Sequence, residues 1–325
     1  MARLLVRREP WVVYWSAFAV YAALGWAGAY VIRTYNFDGL ARIGQAFAAV
    51  FGRQPHLAAI GFVWPPIPVT TDLVLVVLLR PFGLLLLAGP LMSALYGAAA
   101  LALMDVFLRQ FEVARPWRLT WVALCGLHPI LLQNATMGLS EAPFLAALLL
   151  SLNGFALWER RQEPLGLLVA GIGAALAVWC RYDAVAWLAA GCGALTFCFF
   201  LRGEPRWRQS LEAVALTFVM PAVWVLLFWM LLSWQVMGNP IYFLVGPGST
   251  ATTPDTARGG PRAPIRVRTP LRGRHDVAAA LADPEHGTTA PAGQRGRGRR
   301  ARAPPPLVGR ALPVAGVVHP GVHRL

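Results

Sequence analysis

Hydrophobic residues fill long stretches of the first 250 positions, and short polar loops separate these stretches. A helix of about 20 apolar residues crosses the roughly 30 Å hydrocarbon layer of a bilayer. Seven stretches reach or approach that length, so the predicted fold class is all-α, a polytopic transmembrane helix bundle of about seven spans. The predicted spans are Trp11 to Ile32, Gly83 to Leu108, Leu119 to Gln133, Ala142 to Trp158, Leu165 to Cys180, Ala184 to Leu201 and Leu211 to Met237.

One further apolar run, Val69 to Leu79, has only eleven residues and carries Asp72. If this run does not cross, then of the 16 arginines before residue 251, eleven fall on the side of the amino terminus and five on the other side. Cytoplasmic loops of membrane proteins carry such an excess of positive charge. We therefore predict an interfacial or re-entrant segment here, a cytoplasmic amino terminus, and a multi-pass protein of the plasma membrane.

Composition supports this class, because 57% of the residues are hydrophobic and only 14% are charged. Soluble domains carry about 25% charged residues. The four cysteines all fall in predicted spans and show no CxxC spacing, which favours apolar packing over metal or redox work. His128 and Pro129 lie inside a predicted span, where proline is expected to kink a helix.

A tail at residues 251–325 differs from the rest of the chain, since it contains no aromatic residue and is rich in Ala, Arg, Pro and Gly. Such a segment has too few large side chains to build a core, so we predict disorder. The Arg-Gly pattern at 295–300 is typical of arms that bind RNA or anionic lipid. However, 68 of the 75 tail residues are those encoded by codons that begin with C or G. That bias favours out-of-frame translation of a GC-rich gene, and we expect no nucleic-acid partner.

The long segment 33–82 is predicted to lie outside the membrane, where functional groups concentrate in loops. Asp38 precedes a helical pattern with an apolar stripe, and Arg42 lies off that stripe. The pattern predicts a short amphipathic helix on the membrane surface. Asp38 then has two interpretations: it caps this helix, or it serves as a general base at the mouth of a membrane cavity.

Three other features have both a structural and a functional interpretation. Trp64, Pro65 and Pro66 begin a proline-rich segment that is either a rigid connector or part of a site. Glu141, at the outer end of a predicted span, could cap the helix that starts at Ala142. Asp183 could simply pair with Arg181 at the membrane interface.

Taken in order, these motifs resemble the polytopic GT-C glycosyltransferases of the protein mannosyltransferase and aminoarabinose transferase type. The resemblance covers residues 1–250 and rests on short motifs. The matching stretches are Tyr35-Asn36-Phe37-Asp38, Trp64-Pro65-Pro66-Ile67, Ser140-Glu141-Ala142, Arg181-Tyr182-Asp183-Ala184 and Gly238-Asn239-Pro240-Ile241-Tyr242-Phe243.

This resemblance implies transfer of a sugar from a polyprenyl-phosphate carrier to a hydroxyl group on the extracytoplasmic face, with inversion at the anomeric carbon. It implies that Asp38 is the base and that guanidinium groups bind the carrier phosphate. It implies no organic cofactor and leaves a divalent metal and the oligomeric state open. The chain departs from the family pattern at Gly39, where many members have a second acid, and at Trp64, where many have histidine. The implied substrate-binding residues are Arg42, His56, Trp64, Pro65, Pro66, Glu141, Arg181 and Asp183.

Two other functions fit the composition. A secondary transporter would place ionisable groups near the middle of its spans and show repeated halves. The sequence shows neither an acid in the middle of a predicted span nor a detectable internal repeat. A non-catalytic membrane fragment is the third interpretation, because members of the resembled family continue beyond residue 250 and the tail is predicted to be out of frame.

Overall fold

The described part of the chain is built from helices. A computed structural model describes residues 8–202 and 207–246, and within these ranges every regular element is helical. The predicted tail and its frame therefore lie outside the described residues. The helices are α1 (Arg8–Trp26, continued by a π-helical segment Ala27–Ile32), α2 (Phe37–Phe51), α3 (Pro66–Leu79), α4 (Ala88–Gln110), α5 (Arg115–Gly126), α6 (Pro129–Thr136), α7 (Glu141–Arg161), α8 (Pro164–Cys180), α9 (Ala184–Arg202), α10 (Trp207–Met237) and α11 (Tyr242–Val245).

Five helical segments are long and apolar enough to cross a membrane, which confirms the membrane class. They are Arg8–Ile32, Leu85–Gln110, Glu141–Arg161, Ala184–Arg202 and Leu211–Met237. Helix α8 is also apolar but has only 17 residues. Each of these six segments overlaps one predicted span.

The remaining predicted span, Leu119 to Gln133, falls on two helices rather than one. Helix α5 has 12 residues and α6 has 8, and the break lies at Leu127 and His128, directly before Pro129. Proline has no amide hydrogen for a continuing helix, which explains the position of the break. At 1.5 Å per residue the two helices measure roughly 18 Å and 12 Å, so together they are about as long as the hydrocarbon layer is thick.

Small residues allow the helices to approach closely. Helix α4 packs against α1 on one side and α7 on the other, and α7 forms a tight hairpin with α8. A Cβ atom on Gly154 would lie 2.3 Å from the backbone nitrogen of Ala170, and one on Gly173 would lie 2.4 Å from that of Ser151. Helices in membranes associate through such small residues, since lipid provides no hydrophobic drive between them.

The bundle has two ends with different chemistry. We call the first the loop end; there α2 and α3 pack together and α7 begins next to the C-terminus of α8. We call the second the arginine end, which carries Glu9, Arg109 and Arg118 in one ion-pair network and Arg202 bound to Glu159. The motifs of the family resemblance lie in or beside the loop end.

Candidate functional site

Helix α2 begins one residue before Asp38, and this corrects the cap interpretation. Asn36 is the capping residue, because its side-chain oxygen accepts a hydrogen bond of 2.9 Å from the backbone N–H of Asp38. Asp38 lies in the first turn with an exposed side chain. Its carboxylate is therefore free of the capping role and accessible to solvent or ligand.

Arg42, one turn after Asp38, is buried at the loop end. The sequence pattern placed it off the apolar stripe, but its relative exposure is only 6%. Its guanidinium donates to the carbonyl of Gly138 at 3.0 Å and to the hydroxyl of Ser140 at 3.3 Å. The same group lies over the ring of Trp64, 5.0 Å from the ring centroid, at the distance of a cation–π contact. Arg42 thus joins α2, the proline-rich segment and the turn before α7.

Glycines bring that turn close enough for Arg42 to reach it. Gly138 has a positive φ of 74°, which favours glycine because a side chain would clash with its own backbone. A Cβ atom on Gly39 would lie 2.4 Å from the carbonyl oxygen of Met137. A Cβ atom on Gly138 would lie 3.0 Å from the Cα of Gly89 on α4. Three backbone segments therefore meet in contact at this point, and the turn is fixed beside α2.

A second ion-pair group lies at the start of α7 and the end of α8. Glu141 is the first residue of α7, so it does not precede the helix as the capping interpretation required. Its Oε1 accepts a hydrogen bond of 2.5 Å from Arg181, and its buried Oε2 has no hydrogen-bond partner among the residues that the structure describes. Arg181 also donates to Asp183 at 2.7 Å, as the simpler interpretation of Asp183 predicted. Arg181 therefore lies between two carboxylates.

The two groups act on each other electrostatically. Burial lowers the pKa of the Arg42 guanidinium, and the negative charges of Asp38, Asp72 and Glu141 raise it again in part. The positive charge of Arg181 is also close enough to contribute. The loop end therefore holds three carboxylates and two guanidinium groups, which belong to Asp38, Glu141 and Asp183 and to Arg42 and Arg181.

Asp72 is the residue that the sequence interpretation did not assign to the site. It lies on α3, it is fully buried, and neither of its carboxylate oxygens has a hydrogen-bond partner in the described residues. Burial raises the pKa of this carboxyl to about 8, and the charge of Arg42 lowers it in part. The signal in the sequence was an acid within a short apolar run, but only the fold shows that the acid is enclosed beside Arg42.

Aromatic side chains connect two further motifs at the same end. The indole N–H of Trp229 on α10 donates to the hydroxyl of Tyr182 at 3.1 Å. The Tyr182 ring lies 5.0 Å from the ring of Phe243, and Phe62 stacks on Trp229 at 4.8 Å. These contacts hold the segment after α10 against the turn that contains Arg181 and Asp183.

Not every predicted site residue joins this group. His56 is exposed, and its ring nitrogen contacts the carbonyl of Gln54 in its own loop at 2.5 Å. Pro65 precedes α3 with extended backbone angles, and Pro66 is the first residue of that helix. Both prolines therefore set the direction of α3, three residues earlier than the predicted start at Val69. Across residues 8–202 and 207–246, no group of three or more His, Cys, Asp or Glu side chains is arranged to hold a metal ion.

The arrangement offers two kinds of chemistry. An accessible carboxylate, Asp38, can accept a proton from a nearby hydroxyl group. Guanidinium groups can bind an anion such as a phosphate, and Arg181 is the more accessible of the two here, with about a third of its side chain exposed. Comparison with known protein families, with characterised proteins and with solved structures finds no significant match to this chain.

Proposed function

We propose that the loop end is the site of a membrane glycosyltransferase, which moves a sugar from a polyprenyl-phosphate carrier to a hydroxyl acceptor. The observation that carries this proposal is that Asp38 does not cap helix α2. Asn36 caps α2, and Asp38 presents an exposed carboxylate one turn from Arg42. A base and a cation are thereby placed on one short helix outside the candidate spans.

The proposed reaction is a single displacement. The acceptor oxygen forms a bond to the anomeric carbon while the bond from that carbon to the phosphate oxygen breaks. The bonding electrons leave with the phosphate, and Asp38 takes the proton of the attacking hydroxyl. Attack from the face opposite the phosphate inverts the anomeric centre, as the family resemblance implies.

Arg181 is the proposed contact for the carrier phosphate. The positive charge of the buried Arg42 lies close enough to add to the electrostatic attraction for that phosphate. Arg42 is buried and already donates to Gly138 and Ser140, whereas Arg181 is partly exposed. The phosphate would compete with Glu141 for the Arg181 guanidinium. Gly39 gives a physical reason for one departure from the family pattern, because any side chain at that position would strike the backbone of Met137.

Membrane orientation follows from charge. The arginine end carries Arg109, Arg115, Arg118 and Arg202, so the positive-inside rule places it in the cytoplasm. The loop end then faces the extracytoplasmic side, where the carrier-linked sugar would be presented. Five helical segments are long and apolar enough to cross a membrane, which supports a bundle that spans the bilayer between these two ends.

The test is sugar transfer by the full chain in lipid vesicles. Asp38→Asn keeps the size and polarity of the side chain but removes its basic carboxylate, so transfer from a polyprenyl-phosphate sugar should fall by at least about a hundredfold. Glu163→Gln removes one carboxylate at the arginine end and should leave transfer unchanged. Transfer retained by Asp38→Asn, with both variants inserted equally in the membrane, would overturn the assignment of Asp38 as the base.

Proton-linked transport is a second candidate function. The burial of the Asp72 carboxyl group is the observation that favours it. A buried acid within a membrane protein is a candidate proton carrier. Asp72 has no partner for either oxygen in the described part of the chain, and it lies beside Arg42. Uptake of a solute driven by a pH gradient, lost in Asp72→Asn and retained in Asp38→Asn, would support transport over sugar transfer.

A further inference from the structure

A cavity of about 320 Å³ lies between α1 and α5, but a larger one of about 470 Å³ opens between α7 and α9. Aromatic and small apolar side chains form most of the wall of the larger cavity. Phe155 on α7 packs edge to face with Trp187 on α9, and Ala190 and Ala194 follow Trp187 along the same face of α9. Cavities that bind small molecules in proteins commonly have volumes of about 300–1,000 Å³ and mostly apolar walls.

The cavity extends along α9 for about the depth of one membrane leaflet. Its lining runs from Trp187 to Cys198 on that helix. The eleven steps from Trp187 to Cys198, at a rise of 1.5 Å each, give roughly 16 Å, and half of the hydrocarbon layer is about 15 Å. This length fits one extended acyl chain. On α7 (Glu141–Arg161) the lining residues run from Leu152, near the middle of the helix, to Arg160 in its last turn, so the cavity lies in the half of α7 that is nearer the arginine end.

One arginine that lines the cavity, Arg160, forms no ion pair with an acidic side chain within residues 8–202 and 207–246. Arg160 is exposed, and its guanidinium lies over the ring of Phe111 at 5.6 Å. Glu159 lies beside it at the mouth, but both of its carboxylate oxygens accept hydrogen bonds from Arg202, at 2.9 Å and 2.8 Å. The carboxylate of Glu159 is thus already neutralised, and Arg160 leaves an excess of one positive charge.

We propose that this cavity binds one acyl chain of an anionic phospholipid, with the lipid phosphate held by Arg160. The apolar wall excludes a soluble anion from the depth of the cavity, and the guanidinium gives a preference for negative headgroups. Basic pockets between helices at the positively charged side of membrane proteins bind anionic headgroups in this way. Arginine can donate two parallel hydrogen bonds to a phosphate, so Arg160 would select the phosphate by its geometry as well as by its charge. This site lies at the opposite end of the bundle from Asp38, so the proposal does not depend on the proposed transferase activity.

The experiment measures lipid retention by the full chain, purified in mild detergent and titrated with phosphatidylglycerol or phosphatidylcholine. Native mass spectrometry counts the bound lipids. We expect retention of phosphatidylglycerol at concentrations where phosphatidylcholine is lost. Arg160→Gln should weaken phosphatidylglycerol binding by about tenfold, the effect of one charge-assisted contact. Arg161→Gln is the matched control, because the neighbouring arginine does not line the cavity and should bind the lipid as the wild type does.

A second pair of variants tests the acyl chain rather than the headgroup. Ala194→Trp should fill the cavity and abolish retention of the lipid. Ala190→Leu is the smaller substitution, used if Ala194→Trp does not fold, and it should weaken retention of the lipid. Tryptophan fluorescence reports folding of each variant. Equal binding of the two lipids, or equal losses in Arg160→Gln and Arg161→Gln, would overturn the proposal. It would also be overturned if inorganic phosphate displaced the lipid from the wild type and bound Ala194→Trp unchanged, since the site would then recognise a free anion.

Discussion

Replacing Asp72 by asparagine should change how the stability of the protein depends on pH. The asparagine side chain has nearly the same size and fills the same place on α3, but it carries no ionisable group. In the wild type the carboxyl is fully buried, and burial raises its pKa from 3.8 to about 8. The charged or titratable groups close to it are Arg42 on α2 and Tyr96 on α4, and neither forms a hydrogen bond with it.

The magnitude follows from linkage between protonation and folding. Between about pH 5 and pH 7.5 the folded protein holds the Asp72 proton, whereas the unfolded chain has released it. The free energy of unfolding therefore falls as the pH rises, by slightly more than about 1 kcal/mol for each pH unit. Over two pH units within this window the free energy of unfolding falls by roughly 3 kcal/mol. The decrease stops once the pH exceeds the folded-state pKa near 8. Asp72→Asn should lack this slope.

The assay is reversible unfolding in mixed micelles at pH 5.5, 6.5 and 7.5, followed by the fluorescence of the 13 tryptophans. We expect the variant to gain stability relative to the wild type as the pH rises. Asp183→Asn serves as the control, because the Asp183 side chain is 69% exposed and water solvates its charge. If the stabilities of wild type and Asp72→Asn change in parallel with pH, the buried neutral state of Asp72 is refuted.

Two further predictions concern packing and charge. Gly39→Ala should destabilise the protein by about 1–3 kcal/mol, because the added Cβ would lie 2.4 Å from the carbonyl oxygen of Met137. Gly28→Ala is the control, because its added Cβ meets no atom within 4 Å. Equal melting temperatures of the two variants would contradict the close contact at Gly39. Arg118→Gln should cost about 1.5–3 kcal/mol, because it removes one buried partner of the fully buried Asp105 while Arg109 remains paired with that carboxylate. Arg115→Gln, which removes an exposed partner of the same network, should cost less than about 1 kcal/mol in the same unfolding assay, and equal losses would show that burial is not the cause.

The amphipathic pattern after Asp38 allowed α2 to be predicted, and the helix observed is Phe37–Phe51. The pattern did not show which side of that helix would be covered. Arg42 is buried because α2 meets protein on its polar side as well, through Trp64 and the turn at Gly138. Periodicity reports where apolar residues fall, but it does not report a neighbouring backbone that supplies hydrogen-bond acceptors.

Helix ends were the second difference. The prediction placed Asp38 immediately before a helix, whereas Asn36 holds that position and provides the cap. Both residue types favour helix starts, so sequence preference does not separate two candidates that lie two positions apart. The observed hydrogen bond separates them, and it is this bond that leaves the Asp38 carboxylate available.

The sequence by itself determined the membrane class, six of the apolar helical segments, helix α2 and the set of motifs, because long apolar stretches, helical periodicity and short polar signals are local properties. Tertiary structure decided which motifs meet. It placed Glu141 against Arg181, 40 positions away, and Arg42 against Gly138, 96 positions away. It also enclosed Asp72. These outcomes depend on close backbone approach at glycines such as Gly39 and Gly138, and such contacts arise only when separate helices pack together.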